Sequence, residues 1–240
     1  MASSDAISSL YTRLQRNGYV VAEITSIGDV SVTRDDIETT HYDSDDGYKE
    51  YLPGLADGGE ITIEGNFIVG DTNGQIGLKT DYEAGTVQSF ELALPNAANS
   101  SWEFSAIVNA FGETQPNGDK IGFSVTMKVT GKPVLIIDDG STGLTTPYFT
   151  LSGEISGAIT PSPAASGSIY LYSATAGGSD TYVTVTPTAA AGVIKVNGVT
   201  KASGVGENVT TPATTTTPVF ISVKETSKAP KIYKINITRP

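Results

Sequence analysis

The stretch from Asp43 to Phe67, DSDDGYKEYLPGLADGGEITIEGNF, constrains this chain more than any other. It opens with a polar run carrying two aromatics, Tyr48 and Tyr51, passes through the turn dipeptide Pro53-Gly54, and reaches Gly58-Gly59. It then becomes a strand pattern with apolar Ile61, Ile63 and Phe67. Hairpin loops in compact domains usually run about two to five residues. A connection this long, with aromatics around a Pro-Gly-Leu anchor, predicts an arm that grips something outside its own domain.

The remaining composition agrees with a mainly β chain. Thr, Ser, Val and Ile are abundant and Leu is scarce, and β-branched side chains suit a pleated, half-buried surface. A length of 240 residues permits one large or two modest domains, each able to bury a core. The chain has no cysteine, which excludes disulfides, thiolate metal sites and cysteine nucleophiles. MASSDAISSLYTRLQRN has neither a basic leader nor a long apolar run, so no signal peptide is expected. The net charge of −11 is unevenly spread: residues 1–145 carry 8 basic and 22 acidic side chains, residues 146–240 carry 7 and 4. That asymmetry predicts two domains with different duties. An acidic surface repels nucleic acid, so a protein that grips DNA is disfavoured.

Along the chain, Ile7, Leu10, Tyr11 and Leu14 share one helical face, which predicts a helix over 4–17, capped by Ser3 or Ser4 and closed by Gly18. Strands are predicted at 19–27, 30–33 and 61–69. A second helix over 73–84 is capped by Asp71 or Thr72 and ended by Gly85, and strands follow at 88–94, 102–110 and 120–130. Asn117-Gly118 signals a turn between the last two. The pattern of a first domain, 1–137, ends near Lys132-Pro133. Residues 138–147 are turn-rich and read as a linker. Residues 148–240 hold six short strand candidates, at 148–155, 168–173, 182–186, 193–196, 219–224 and 232–237, which suggests an immunoglobulin-like sandwich. The closing segment Lys231 to Arg239 alternates with period two and is similar to the last strand of cadherin-like and bacterial Ig-like domains.

No catalytic, cofactor or metal site emerges, so an enzyme is not expected. The single histidine, His41, has no Gly-x-Ser-x-Gly elbow to serve and reads as a solvated loop residue. Asp43, Asp45 and Asp46 fail the EF-hand template, because glycines fall at positions 5 and 12 counted from Asp43. Asp35, Asp36 and Glu38 have no aromatic-rich cleft for glycoside hydrolysis. Trp102 reads as core packing, and Tyr170 with Tyr172 as half-buried packing or a sugar-stacking platform.

The run Gly47-Tyr48-x-Glu50 and Leu52-Pro53-Gly54-Leu55-x-Asp57-x-Gly59-Glu60 resembles the long loop of tail tube proteins from long-tailed, lambda-like bacteriophages. Four further segments are similar to that family: Ile27-Gly28-Asp29-Val30; Gly77-Leu78-Lys79-Thr80 with Tyr82 to Val87; Leu94-Pro95-Asn96-Ala97; and Lys128 to Pro133. Together they cover roughly residues 5 to 137.

The resemblance implies an N-terminal β-sandwich or barrel tail-tube domain with flanking helices, beside the C-terminal Ig-like β-sandwich. It implies a structural virion protein, made and assembled in the host bacterial cytoplasm. Hexameric rings of this protein would stack into a hollow, non-contractile tube that conducts DNA into the host without binding it specifically. Tyr42, Asp43, Asp46, Tyr48, Glu50, Tyr51, Leu52, Pro53, Gly54, Leu55 and Asp57 would form the inter-ring contact loop. Its partners would be itself, a tape measure protein, a tail tip or initiator and a tail terminator. The C-terminal domain would decorate the exterior and touch the host surface weakly. A surface adhesin binding glycans, or a tube protein of a contractile injection system, are the alternatives.

Overall fold

The computed structural model describes residues 8–137 and 139–240. Among them run eighteen strands and one α-helix, in accord with the expected mainly β class.

Strand β1 (Arg13–Arg16) turns back on β2 (Tyr19–Val20), with Arg16 opposite Tyr19. Between them Asn17 and Gly18 both adopt positive φ, 50° and 87°, the two-residue hairpin geometry that favours Asn-Gly. This corrects the helix expected over 4–17. Residues 4–7 lie outside the described part, and 13–16 are strand. The helical spacing is genuine in the sequence, but β1 buries Leu14 and Gln15 while Leu10 and Tyr11 stay exposed.

Next come β3 (Ile24–Ile27), β4 (Thr33–Glu38), β5 (Tyr51–Asp57) and β6 (Glu60–Asn66). Helix α1 spans Gln75–Ala84 and ends at Gly85, as expected. Strands β7 (Val87–Ala93), β8 (Ser101–Thr114) and β9 (Gly122–Ile136) follow. β9 continues past Lys132-Pro133, where the sequence pattern had been expected to end. Seven strands make one sheet in the order β2-β1-β7-β8-β9-β6-β3, while β4 and β5 form a two-stranded sheet of their own.

Contacts divide the chain into two units: Val21–Phe90 with Phe104–Val134, and Met1–Val20 with Glu91–Glu103 and Leu135–Pro240. This grouping does not follow chain order, unlike the division at 137 and 148 drawn from the sequence.

The core of the first unit follows from strict alternation. Ile61 and Ile63 on β6 face inward, directly opposite Met127 and Val125 on β9. Phe104, Ala106 and Val108 on β8 join them, and Phe90 stacks on Phe104 with ring centroids 5.7 Å apart. Helix α1 adds Leu78, fully buried. The helix is pinned by polar groups. The Asp71 carboxylate accepts from the backbone N–H of Gly74 and Gln75 and from Ala22 N, and the Asp71 carbonyl accepts from Ile76 N, so one residue of the preceding loop holds the start of the helix. Fully buried Gln75 donates to Ala22 O at 2.8 Å and Asn66 O at 2.9 Å, and accepts from Ile68 N at 2.8 Å.

The second unit contains β10 (Leu144–Gly153), β11 (Gly157–Ile159), β12 (Leu171–Thr175), β13 (Tyr182–Ala189), β14 (Val193–Val196), β15 (Val199–Lys201), β16 (Glu207–Thr210), β17 (Thr215–Lys224) and β18 (Lys231–Arg239). They form two sheets, β11-β10-β13-β16 and β12-β18-β17-β14-β15. Both sheets feed one core, with Phe149, Leu151, Val183 and Val185 from the first and Val219, Ile221, Tyr233, Ile235 and Ile237 from the second. Tyr172 is fully buried and packs edge-on against Phe149 at 4.9 Å. It therefore forms no exposed platform with Tyr170, which tilts against Tyr233 at 5.2 Å.

The Glu91–Glu103 segment belongs to this unit through polar contacts. Lys224 forms ion pairs with both Glu91 and Glu103. The Asn96 side chain holds the backbone of Ile232 from both sides, accepting from its N–H at 3.0 Å and donating to its carbonyl at 2.6 Å.

Gln75→Ala removes the side-chain partner of two part-buried carbonyls, on Ala22 and Asn66, and of the Ile68 N–H. Each such loss costs about 1–3 kcal/mol, so the substitution is expected to lower the unfolding free energy by about 3 kcal/mol in urea denaturation. A change within experimental error would show that Gln75 is not the pin of α1.

Candidate intersubunit contact site

β4 and β5 pair in antiparallel fashion as Thr33 with Asp57 and Arg34 with Ala56, and then as Asp36 with Pro53, Ile37 with Leu52 and Glu38 with Tyr51. The register shifts between Arg34 and Asp36, so Gly54 and Leu55 oppose Asp35 alone. Pro53-Gly54 is therefore no chain reversal. It sits inside β5 at a bulge, where a proline without an N–H is tolerated. A Cβ on Gly54 would lie 2.9 Å from the Asp35 carbonyl oxygen, so the close approach of the two strands requires glycine there. Arg34 Nη1 donates to the Gly54 carbonyl at 3.0 Å across the bulge.

Charges fasten both ends of this ribbon. At its base Lys128 Nζ donates to both carboxylate oxygens of Asp57 at 2.8 Å, and the Gly59 N–H donates to Asp57 Oδ1 at 2.8 Å. The Lys128 bond, then the Gly59 bond, hold the Asp57 carboxyl below its ordinary value. At the outer end Lys49 and Glu38 pair at 2.8 Å, which pulls Glu38 down and raises Lys49.

Beyond that pair, residues 39–50 fold back on themselves. Thr39 N donates to Glu50 O, Glu50 N to Thr40 Oγ1, and Ser44 N to His41 O. The Asp43 N–H donates to His41 Nδ1 at 3.1 Å, so His41 organises the tip. Asp46 has a left-handed backbone, φ 57°.

The ribbon carries apolar surface it does not bury. Tyr42 is fully exposed at 109%, Leu55 at 85% and Tyr48 at 76%. Tyr51 and Leu52 are also exposed, and Asp43, Asp46, Glu50, Pro53 and Asp57 share that exposure. All eleven residues expected in the contact loop thus fall on β5 or the tip. Gly54 alone is half-buried, against Asp35. The sequence reading missed Ile37, which is exposed opposite Leu52 on β4. A single isoleucine in Thr-Arg-Asp-Asp-Ile-Glu is too weak a strand signal to find by alternation. Asp35, Asp36 and Glu38 line the same strand and are solvated. Among the described residues, no group of three or more histidine and acidic side chains is placed to hold a metal ion.

A family model described as the lambda phage tail tube protein, TTP, matches residues 7–136. The chain belongs to the lambda phage tail tube protein family. It is a structural protein of the phage tail, and its place is the virion. The match takes in the whole β4–β5 ribbon of this tail tube protein and stops short of β10.

Among solved structures, a chain in the virion of the native gene transfer agent particle is similar at 15% identity, over 54% of this chain and 98% of that one, with a TM-score of 0.47. A chain of the sheath/tube terminator of the extracellular contractile injection system PVC in its extended state is similar at 15% identity, over 56% and 99%, with a TM-score of 0.46. The SPP1 tail tube is similar at 13% identity, over 54% and 78%, with a TM-score of 0.43. No curated protein matches the chain.

Gly54→Val places side-chain atoms against the Asp35 carbonyl and is expected to open the bulge. Amide hydrogen exchange over residues 51–57 then accelerates while the amides of β8 stay protected. Unchanged exchange in β5 would show that the ribbon does not need glycine at this point.

Proposed function

We propose that this tail tube protein assembles as hexameric rings that stack into a hollow, non-contractile tube, with the β4–β5 ribbon as the contact between successive rings. The observation that carries the reading is the exposed apolar set on the ribbon: Ile37, Tyr42, Tyr48, Tyr51, Leu52 and Leu55. Exposed apolar surface gathered on one two-stranded element marks an interaction site, and aromatic side chains are the expected anchors of such a contact. Two strands end the large sheet, β2 with two residues and β3 with four. Their unpaired edges support strand pairing between neighbours around a ring. A heterologous contact that closes gives a ring, and one that does not gives a filament.

In this reading the acidic residues 1–145 keep the lumen repulsive to the DNA that passes through it. Residues 148–240 form an Ig-like sandwich that decorates the exterior and touches the host surface weakly. The two-sheet arrangement around one core supports that assignment. A tape measure protein, a tail tip or initiator and a terminator complete the partners.

Tyr48→Ser, Tyr51→Ser and Leu55→Ser in one chain remove anchors that make no contribution to either core. The variant is expected to stay folded by circular dichroism and to give no tubes in negative-stain micrographs under conditions where the parent does. Tubes of normal width and length from the variant would overturn the ribbon as the ring-to-ring contact.

A further inference from the structure

One cavity in the second unit is unexplained by the fold. It measures about 390 Å³ and lies among Leu94, Ile169, Tyr170 and Ile232, with Arg13 and Lys234 beside these apolar walls. That size falls within the range of pockets that take a ligand or an anchoring side chain. Both cations lie near one aromatic ring, Arg13 5.7 Å and Lys234 5.8 Å from the centre of Phe220. No carboxylate lines the cavity among the described residues. Burial pushes the Arg13 guanidinium below its ordinary value, the mark of a desolvated cation. An apolar hollow lined by a part-buried Arg13 and by Lys234 fits a group that is aromatic and anionic together.

The ribbon tip has that chemistry. Tyr42 is fully exposed and adjoins Asp43, and Tyr48 follows Asp45 and Asp46 within three residues. At about 3.3 Å per residue the paired strands carry this tip about 20 Å from the base at Asp57, which is reach enough to enter a neighbouring molecule. We propose that the tip of one copy seats Tyr42 in the Leu94–Ile169–Tyr170–Ile232 cavity of a second copy, with Asp43 meeting Arg13 and Lys234. The inference rests on the ribbon being the ring-to-ring contact and names the surface that receives it. It also gives residues 144–240 a part in stacking, because Ile169, Tyr170, Ile232 and Lys234 belong to that segment.

The absence of native cysteine makes the test direct. Ser44→Cys and Ser168→Cys in one chain put a thiol at the tip and another at the cavity, each by exchange of one atom. Under oxidation, non-reducing gels are expected to show a ladder of dimers and higher species. The Ser44→Cys, Thr150→Cys chain, whose second thiol lies at an exposed position of β10, is expected to give roughly tenfold less dimer, as the effective concentration of non-facing sites is low. Adding Tyr42→Ala to the first pair is expected to reduce the ladder. No ladder from that pair, or an equal one from the Thr150→Cys control, overturns the cavity as the receiving site. Tubes that form without the cross-link leave the ribbon contact intact and move its receptor elsewhere. Tubes from the triple serine variant overturn the contact itself, so the two failures are distinguishable.

Discussion

A two-stranded ribbon cannot bury its own apolar side chains, and β4 with β5 is such a ribbon. An isolated pair of strands is marginal in water, yet β4, β5 and the tip between them carry six large apolar groups into solvent, four on the strands and two on the tip. Backbone pairing of β4 with β5 forms the ribbon, and polar contacts lie along it: the Asp57–Lys128 pair at its base, the Glu38–Lys49 pair at its outer end, and the Arg34 bond across the bulge. None of these contacts covers its apolar surface. In the proposed ring contact that surface meets another molecule, and a preshaped ribbon loses less entropy on docking than a disordered loop.

The second unit is held in a different manner. Its sandwich core is apolar and closed, while the Glu91–Glu103 segment joins it through charge and amide contacts. Lys224 stands between two carboxylates, Glu91 and Glu103. Burial raises the Glu91 carboxyl, and Lys224 opposes that shift. Removing one member of a half-buried ion cluster leaves the others uncompensated, so such groups act more as a register than as glue. Asn96 serves the same end by fixing the Ile232 backbone on both sides. The sandwich is thereby keyed to the hairpin between β7 and β8 within its own unit, and the division of contacts departs from chain order for that reason.

Much of this was legible in the sequence where period and turn chemistry agreed. Ile61 and Ile63 alternate, and β6 lies there. Gly85 ends α1, Val193–Val196 is a strand, and Ile-Tyr-Lys-Ile-Asn-Ile gives the inner face of β18. Reading failed where two local signals conflicted. Leu10, Tyr11 and Leu14 have helical spacing, but Asn17-Gly18 closes a hairpin, and pairing of β1 in the sheet decided the outcome. Pro53-Gly54 has turn chemistry, yet pairing with β4 converted it into a bulge. Tyr170 and Tyr172 looked alike, and only the packing of Phe149 and Tyr233 separates a half-buried ring from a fully buried one. The exposed residues of the tip and β5 lie in one run of sequence, whereas Ile37 does not, because its place beside Leu52 depends on a partner strand fourteen or more residues away. The cavity could not be read at all, since its lining comes from four separated stretches of chain.

The central claim is that the β4–β5 ribbon is buried between successive rings. The most direct measurement is a helical reconstruction by electron cryomicroscopy of tubes grown from the purified chain, at a resolution that shows side chains. Sixfold rings with Tyr42, Tyr48, Tyr51 and Leu55 enclosed by the adjacent ring are expected. Tubes whose rings touch through other surfaces, with the ribbon standing free in solvent, would contradict it.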